Sequence, residues 1–199
     1  GVKNINRDLG LEIDNIHINN NNFVNMETVA IKIEDNFNSI FIDNNIINGI
    51  MRTSSSRFIM LDNTEEPNTR KNLYIRNNQI EDLNDSSLSA CIFLRNVTEN
   101  TVISGNNLIN CYDCIYFYND MNNSYINNNI MTCKNKGFRI ADSSNFYEWN
   151  NLVNSPIGES SKYSLYSNDL PYYLSNYKYG ATNPLCSNLT FSDGFTIIN

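Results

Sequence analysis

A short pattern recurs in which one residue lies between two apolar residues and another residue follows them. Carboxylates, guanidinium groups and aromatic rings occupy many of these middle and following positions. The middle positions and the positions that follow the pattern are Lys32, Met60, Phe93, Tyr116 and Arg139, then Glu34, Asp62, Arg95, Tyr118 and Ala141. Two carboxylates such as Glu34 and Asp62 can share the acid and base work of glycoside hydrolysis. An arginine can instead neutralise an acidic sugar while a tyrosine donates a proton. Aromatic rings also pack on the apolar face of a sugar.

These chemistries assign the side chains to two groups. Glu34, Asp62 and Arg95 are the predicted catalytic residues. The predicted substrate-binding residues are Lys32, Phe93, Tyr116, Tyr118 and Arg139. The competing interpretation is structural, because exposed strand faces carry polar and aromatic residues whose cross-strand pairs stabilise a sheet. The sequence leaves binding, catalysis and this structural role open.

A repeated strand is needed to bring these side chains together. The flanking apolar residues alternate with the exposed ones in Ile31-Lys-Ile33, Ile59-Met-Leu61, Ile92-Phe-Leu94, Ile115-Tyr-Phe117 and Phe138-Arg-Ile140. Alternation with a period of two is the signature of a strand with one buried and one exposed face. Stacked in register, the strands would align their outward residues in two columns.

A second repeat places asparagine at a corner. An apolar residue, two others, Asn, one other and a second apolar residue recur at Asn21, Asn44, Asn78, Asn106, Asn128 and Asn150, with intervals of 23, 34, 28, 22 and 22 residues. Asn tolerates the positive φ that a tight corner requires, and stacked Asn amides can bond along a column. A period of roughly 22 residues with one turn of chain per repeat predicts a solenoid.

From Ile13 to Asn154 the stacked-coil pattern resembles the pectate-lyase-like superfamily of right-handed parallel β-helices. The expected fold is therefore all-β, a solenoid of about six to seven coils with an irregular C-terminal cap. Residues 1–155 are predicted to form the coils. Residues 156–199 are predicted to form a last degenerate coil and the cap, because the Asn corner is lost there.

The resemblance implies a polysaccharide as the partner. The leading expectation is a glycan-recognising fragment of a phage tail spike or appendage, which binds and in some members degrades host surface polysaccharide. The alternatives are a secreted polysaccharide lyase or glycosidase, and a non-catalytic surface adhesin or structural module. A homotrimer follows from the tail-spike resemblance alone. The expected location is a virion or the extracellular space, and the start at Gly1 suggests a piece of a longer chain.

Composition argues against other partners. A net charge of −7 and a pI near 4.6 do not suit binding to nucleic-acid phosphates or to an anionic membrane surface. No run approaches the eighteen apolar residues of a membrane span. Calcium-binding nonapeptide and EF-hand patterns are missing from the sequence, so neither a metal nor another cofactor is predicted.

The five cysteines are predicted to be buried free thiols. Their odd number does not suggest a disulfide framework. The pair Cys111 and Cys114 lacks a second such pair, and the single histidine, His17, lies far upstream. His17 lies between two strand isoleucines and is predicted to be a surface residue.

Overall fold

A computed structural model describes the chain in fourteen segments. They comprise residues 2–3, 13–34, 36–50, 56–62, 70–83, 90–96, 99–118, 123–141, 146–149, 151–154, 163–166, 178–179, 188–190 and 196–198. The regular elements of these segments are strands, which confirms the all-β prediction. No helix long and apolar enough to cross a membrane occurs among the residues that the structure describes.

Most strands belong to three parallel ladders. The first ladder contains β1 (Val2–Lys3), β4 (Ile31–Ile33), β7 (Arg57–Asp62), β10 (Ala90–Arg95), the later parts of β12 (Asn107–Tyr118) and β14 (Ile130–Ala141), and β17 (Tyr163–Tyr166). The second contains β2 (Ile13–Asn19), β5 (Phe37–Asp43), β8 (Arg70–Arg76), β11 (Glu99–Ser104), β13 (Ser124–Asn127), β15 (Phe146–Trp149) and β18 (Lys178–Tyr179). The third contains β3 (Asn22–Met26), β6 (Ile46–Gly49), β9 (Gln79–Asp82), the early parts of β12 and β14, and β16 (Leu152–Asn154).

The chain passes through the second, third and first ladders in that order and then begins again. We call one such passage a round. The long strands β12 and β14 run without interruption from the third ladder into the first, which joins these ladders in one sheet of eleven strands. The second ladder forms a separate sheet of seven strands. The last two strands, β19 (Asn188–Thr190) and β20 (Thr196–Ile198), form an antiparallel pair.

The hydrophobic core consists of columns of like side chains contributed by the three ladders. Buried residues of the first ladder include Ile31, Ile59, Ile92, Ile115 and Phe138, which are register partners. The second and third ladders add Ile42, Ile75, Ile103, Ile126, Ile47, Ile80, Leu108 and Met131. Equivalent positions have similar neighbours in every round. Similar apolar side chains, mostly Ile and Leu, therefore recur at them.

The corner between the second and third ladders uses two consecutive residues with different tasks. The first has a left-handed backbone, with φ between 55° and 67° at Asn20, Asn44, Asn77, Gly105 and Asn128. The second residue places its side chain in a column, and this column consists of Asn21, Asn45, Asn78, Asn106, Asn129 and Asn151. The sequence pattern assigned both tasks to a single residue. For the stacked amide it was wrong by one position at Asn44 and Asn128. For the left-handed backbone it was wrong by one position at Asn21, Asn78 and Asn106, and Asn150 lies outside the described residues.

The column, which we call the Asn column, is a continuous chain of amide hydrogen bonds. From Asn45 to Asn129 each Nδ2 donates to the Oδ1 of the next Asn and to a backbone carbonyl of the preceding round, as Asn78 does to Asn106 at 2.9 Å and to Ile42 at 2.8 Å. The backbone N–H of the same residue also donates to that Oδ1, as Asn78 N–H does to Asn106 Oδ1 at 3.0 Å. Asn45, Asn78, Asn106 and Asn129 are 1% exposed, so these bonds satisfy groups that water does not reach.

A second set of left-handed residues bends the strands of the second ladder. Asn15, Ser39, Asn72 and Asn100 have φ between 55° and 70°, and the strand pairs are interrupted at each of them while the residues on either side stay paired. The repeated irregularity is a stacked bend without a shift of register, for which Asn is suited by its tolerance of positive φ. The corners and this bend contain seven asparagines and the Asn column six, so together they account for 13 of the 40 in the chain.

Four of the five cysteines form two disulfides, so the prediction of free thiols was wrong. Cys91 bonds to Cys111 and Cys114 bonds to Cys133, while Cys186 lies outside the described residues. The odd number of cysteines was a poor guide, because a chain with five cysteines can still form two disulfides from four of them.

Beyond residue 155, β17 and β18 extend the first and second ladders. The antiparallel pair of β19 and β20 is the only departure from parallel pairing among the described strands. The proposed boundary between residues 155 and 156 stays a prediction.

Candidate ligand-binding ribbon

The outward side chains of the first ladder align as the sequence predicted. Lys32, Met60, Phe93, Tyr116 and Arg139 are consecutive register partners. The neighbouring column pairs Asp62 with Arg95, Tyr118 and Ala141, and Glu34 directly follows the register partner of Leu61. We call these two columns, with Arg57 and Asp113 described below, the ribbon.

Both predicted catalytic carboxylates contact cations within the ribbon. Arg95 donates from Nε and Nη2 to the two carboxylate oxygens of Asp62, with the Nη2 bond at 2.6 Å. The hydrogen bond to Asp62 raises the pKa of Arg95. Lys32 forms an ion pair of 2.6 Å with Glu34. A bidentate guanidinium–carboxylate pair has a defined geometry, so Asp62 fixes the orientation of Arg95 and its own lone pairs are engaged.

The aromatic rings of the central column lie against guanidinium groups. Phe93 is 7% exposed, and Arg57 and Arg95 lie 5.2 and 5.9 Å from its ring centroid. Arg139 lies 4.4 Å from the centroid of Tyr116. Such contacts are favourable cation–π interactions. They cover Phe93, so little of its ring is available to a sugar in this conformation.

Tyr118 differs from the other two rings because it is 37% exposed. Its ring contacts Tyr116 edge-on with a centroid separation of 6.3 Å, and Arg95 lies 5.9 Å from its centroid. Burial raises the pKa of the Tyr116 hydroxyl, and Arg139 opposes that effect. Tyr118 is therefore the ring of this group best placed to pack against a ligand.

Asp113 lies at the base of the ribbon and was not recognised from the sequence. Its side chain is 1% exposed and accepts hydrogen bonds from Asn135 Nδ2 at 2.8 Å and from Arg139 Nη1 at 3.4 Å. Burial raises its pKa, and the bonds from Asn135 and Arg139 counteract this rise. The contact with Arg139 holds that guanidinium group beside the ring of Tyr116.

Arg57 is the second residue that the sequence analysis missed. Its guanidinium group covers Phe93, and burial lowers its pKa while the nearby Asp113 raises it. Arg57, Ala90, Asp113 and Lys136 are register partners two residues before the first inward residue of each strand. These positions have the same parity as the inward residues, so alternation predicts that they face the core, and the contact of Arg57 with Phe93 could not be predicted from the register.

The chemistry of the ribbon is dominated by fixed hydrogen-bond donors. Within the ribbon the cations Lys32, Arg57, Arg95 and Arg139 outnumber the carboxylates Glu34, Asp62 and Asp113 by four to three, so basic groups are in slight excess here although the chain carries a net charge of −7. Guanidinium groups oriented by carboxylates and aromatic rings can donate to the hydroxyl or carboxylate groups of a ligand.

A separate aromatic column lies on the second ladder. His17 stacks on Phe41 with a centroid separation of 4.5 Å, and Phe41 stacks on Tyr74 at 4.8 Å. His17 is exposed, as predicted. Arg76 contacts this stack and forms a two-point ion pair with Asp43. Because the rings use their faces against one another, this column stabilises neighbouring strands.

The described part of the chain contains no group of three or more His, Cys, Asp or Glu side chains arranged to hold a metal ion. Comparison with protein-family models, with curated proteins and with solved structures found no match. Membership of the pectate-lyase-like superfamily therefore stays a prediction from the sequence.

Proposed function

We propose that this chain is a polysaccharide-binding module whose ligand lies along the ribbon. The observation that carries the proposal is the alignment, over successive strands, of oriented guanidinium groups with an exposed tyrosine. Parallel strands are about 4.8 Å apart, so the ribbon offers a repeating series of contacts that suits a linear polymer better than a single small molecule.

Each part of the ribbon has a role in this proposal. The guanidinium groups of Arg95 and Arg139 donate to sugar hydroxyl or carboxylate groups, since each is already oriented by an aspartate. Tyr118 supplies an apolar ring face. Lys32 and Phe93 have smaller roles, because Lys32 is paired with Glu34 and Phe93 is buried.

We further propose that the rounds wind as a right-handed parallel β-helix of six to seven coils, with the irregular end in residues 156–199. The support is the recurring order of three parallel ladders and the in-register Asn column. A phage tail spike or appendage, and the homotrimer that it implies, remain expectations from the resemblance alone.

Polysaccharide cleavage by Glu34, Asp62 and Arg95 is less well supported than binding. Asp62 accepts two hydrogen bonds from Arg95, so it would have to leave this pair to act as an acid, a base or a nucleophile. A carboxylate held at both oxygens by one guanidinium group has a fixed geometry, which favours a positioning role over proton transfer.

The test is to incubate the full chain with a panel of bacterial surface polysaccharides. Binding is followed by isothermal titration calorimetry, new reducing ends by a colorimetric assay, and unsaturated uronate by its ultraviolet absorbance. Saturable binding without product is the expected result. Product formation would instead identify a hydrolase or, with the absorbance, a lyase. Failure to bind any polymer on a broad panel would overturn the proposal and favour a structural module.

A further inference from the structure

We propose that this chain matures in an oxidising compartment, because two buried disulfides close two successive rounds. The inference does not depend on polysaccharide binding. It rests on the positions of the four cysteines and concerns where the protein folds, which distinguishes an exported protein from one that is made and kept in a reducing cytosol.

The geometry of both pairs suits a disulfide. The Cα atoms of Cys91 and Cys111 are 5.7 Å apart, and those of Cys114 and Cys133 are 5.8 Å apart. Unstrained disulfides have Cα separations of about 4.4 to 6.8 Å. All four side chains are at most 1% exposed and belong to the hydrophobic core.

The two bridges occupy equivalent places in neighbouring rounds. Ala90 and Asp113 are register partners, and Cys91 and Cys114 directly follow them in the sequence. Cys111 is the register partner of Cys133. Sequence separations of 20 and 19 residues mean that each bridge links the beginning and the end of nearly one complete round. Because the same arrangement occurs twice, the bridges are a regular feature of the fold and do not reflect an accidental proximity of two thiols.

The second bridge lies directly below the ribbon. Cys114 follows Asp113, and Cys133 precedes by two residues the Asn135 that donates to Asp113. The bridge therefore joins the two strands that hold Asp113, and through it Arg139, in place. The oxidised state therefore supports the part of the proposed binding surface that contains Arg139.

Formation of each bridge requires an oxidant. Two thiols lose two protons and two electrons as the sulfur–sulfur bond forms, and a disulfide of a thiol–disulfide oxidoreductase accepts them and becomes two thiols. The cytosol opposes this reaction because its thiol pool keeps cysteines reduced, whereas export compartments favour it. The structure thus favours the secreted alternatives over an appendage assembled in a reducing cytosol.

The first experiment counts thiols in a Cys186→Ser variant of the full chain that has been exported to an oxidising compartment. Unfolded in guanidinium without reductant, it should show no reactive thiol. Peptide mapping without reduction should recover the pairs Cys91–Cys111 and Cys114–Cys133. Four reactive thiols would overturn the proposal. Links between Cys91 and Cys114 and between Cys111 and Cys133 would instead join equivalent positions of neighbouring rounds and would overturn the closing of a round by each bridge.

The second experiment measures how much folding depends on oxidation. For loops of this length, each bridge should raise the equilibrium constant for folding about a hundredfold. Reduced Cys186→Ser protein should therefore unfold at a much lower urea concentration than the oxidised protein. A double variant, Cys114→Ala with Cys133→Ala, should lie between them. Equal midpoints for the oxidised and reduced proteins would contradict a requirement for an oxidising compartment, whether or not polysaccharide binds.

Discussion

Replacement of Asn78 by alanine tests the Asn column at its centre. The Asn78 amide takes part in four hydrogen bonds besides those of its backbone. Its Nδ2 donates to the Ile42 carbonyl at 2.8 Å and to Asn106 Oδ1 at 2.9 Å. Its Oδ1 accepts from the backbone nitrogen and the Nδ2 of Asn45 at 2.9 and 3.0 Å. Alanine removes all four and leaves their partners buried.

The expected loss follows from the burial of these partners. A net hydrogen bond contributes about 1 kcal/mol, and a buried group left without a partner costs about 1–3 kcal/mol. Some relaxation is expected, so Asn78→Ala should lower the free energy of unfolding by about 3–5 kcal/mol. Domains of ordinary stability have about 5–15 kcal/mol in total, so the variant should be severely destabilised.

Urea unfolding followed by far-ultraviolet circular dichroism gives this free energy. The neighbouring residue provides a matched control. Asn77 is exposed and has a φ of 56°, a conformation that glycine adopts readily, so Asn77→Gly should change stability by less than about 1 kcal/mol. Equal effects of Asn78→Ala and Asn77→Gly would refute the assignment of different tasks to the two corner residues.

Three further variants test packing, titration and the ion pair. A Cβ at Gly49 would overlap the backbone of Met26, so Gly49→Ala should cost about 3 kcal/mol in urea unfolding, and a neutral result would contradict this packing. Burial raises the pKa of Asp113 above 3.8, so protonation favours the folded state and that contribution is lost as pH rises through the folded pKa. Stability of Asp113→Asn relative to wild type should therefore increase from about pH 4 upward, and a constant or shrinking difference would exclude this titration. Arg95→Lys keeps the charge but loses the two-point contact with Asp62, so it should lower the free energy of unfolding, measured by thermal unfolding, by about 0.5–1 kcal/mol. An unchanged stability would show that the two-point contact does not stabilise the fold.

The sequence was most informative about the first ladder. Its strands repeat one pattern in which an outward residue lies between two apolar residues, and aligning Ile59, Ile92 and Ile115 on the buried face fixes the register of the outward columns. Once the inward residues are aligned, the outward residues of the same strands are aligned as well. The contacts between Arg95 and Asp62 followed from this alignment, although their two-point geometry required coordinates.

The corner could not be resolved from sequence because adjacent asparagines satisfy the same pattern. Asn44 and Asn45 are both compatible with an Asn between two apolar positions, and their tasks differ only in backbone conformation and in side-chain burial. The stacked bend at Asn72 shifts the alternation of buried residues, because Arg70 and Leu73 are both buried although they are three residues apart. A polar arginine at the first of these positions hides that shift in the sequence.

The disulfides were missed for a different reason. Pairing of Cys91 with Cys111 depends on how one round closes, and sequence spacing alone also allows Cys91 with Cys114. Asp113 was missed because it precedes the apolar pattern and its importance comes from burial beside Arg139. Both features depend on distances between segments of the chain that lie far apart in the sequence.

The most direct test of the ribbon is the affinity of two tyrosine variants for a polysaccharide that the wild-type chain binds. Tyr118 on the ribbon and Tyr125 on the second ladder are 37% and 41% exposed, so they are matched in type and accessibility. Tyr118→Ala should weaken binding about tenfold or more, as loss of a central aromatic contact does, while Tyr125→Ala should stay within about twofold of wild type. Equal losses, or a loss confined to Tyr125→Ala, would place the ligand elsewhere and contradict the ribbon as the binding surface.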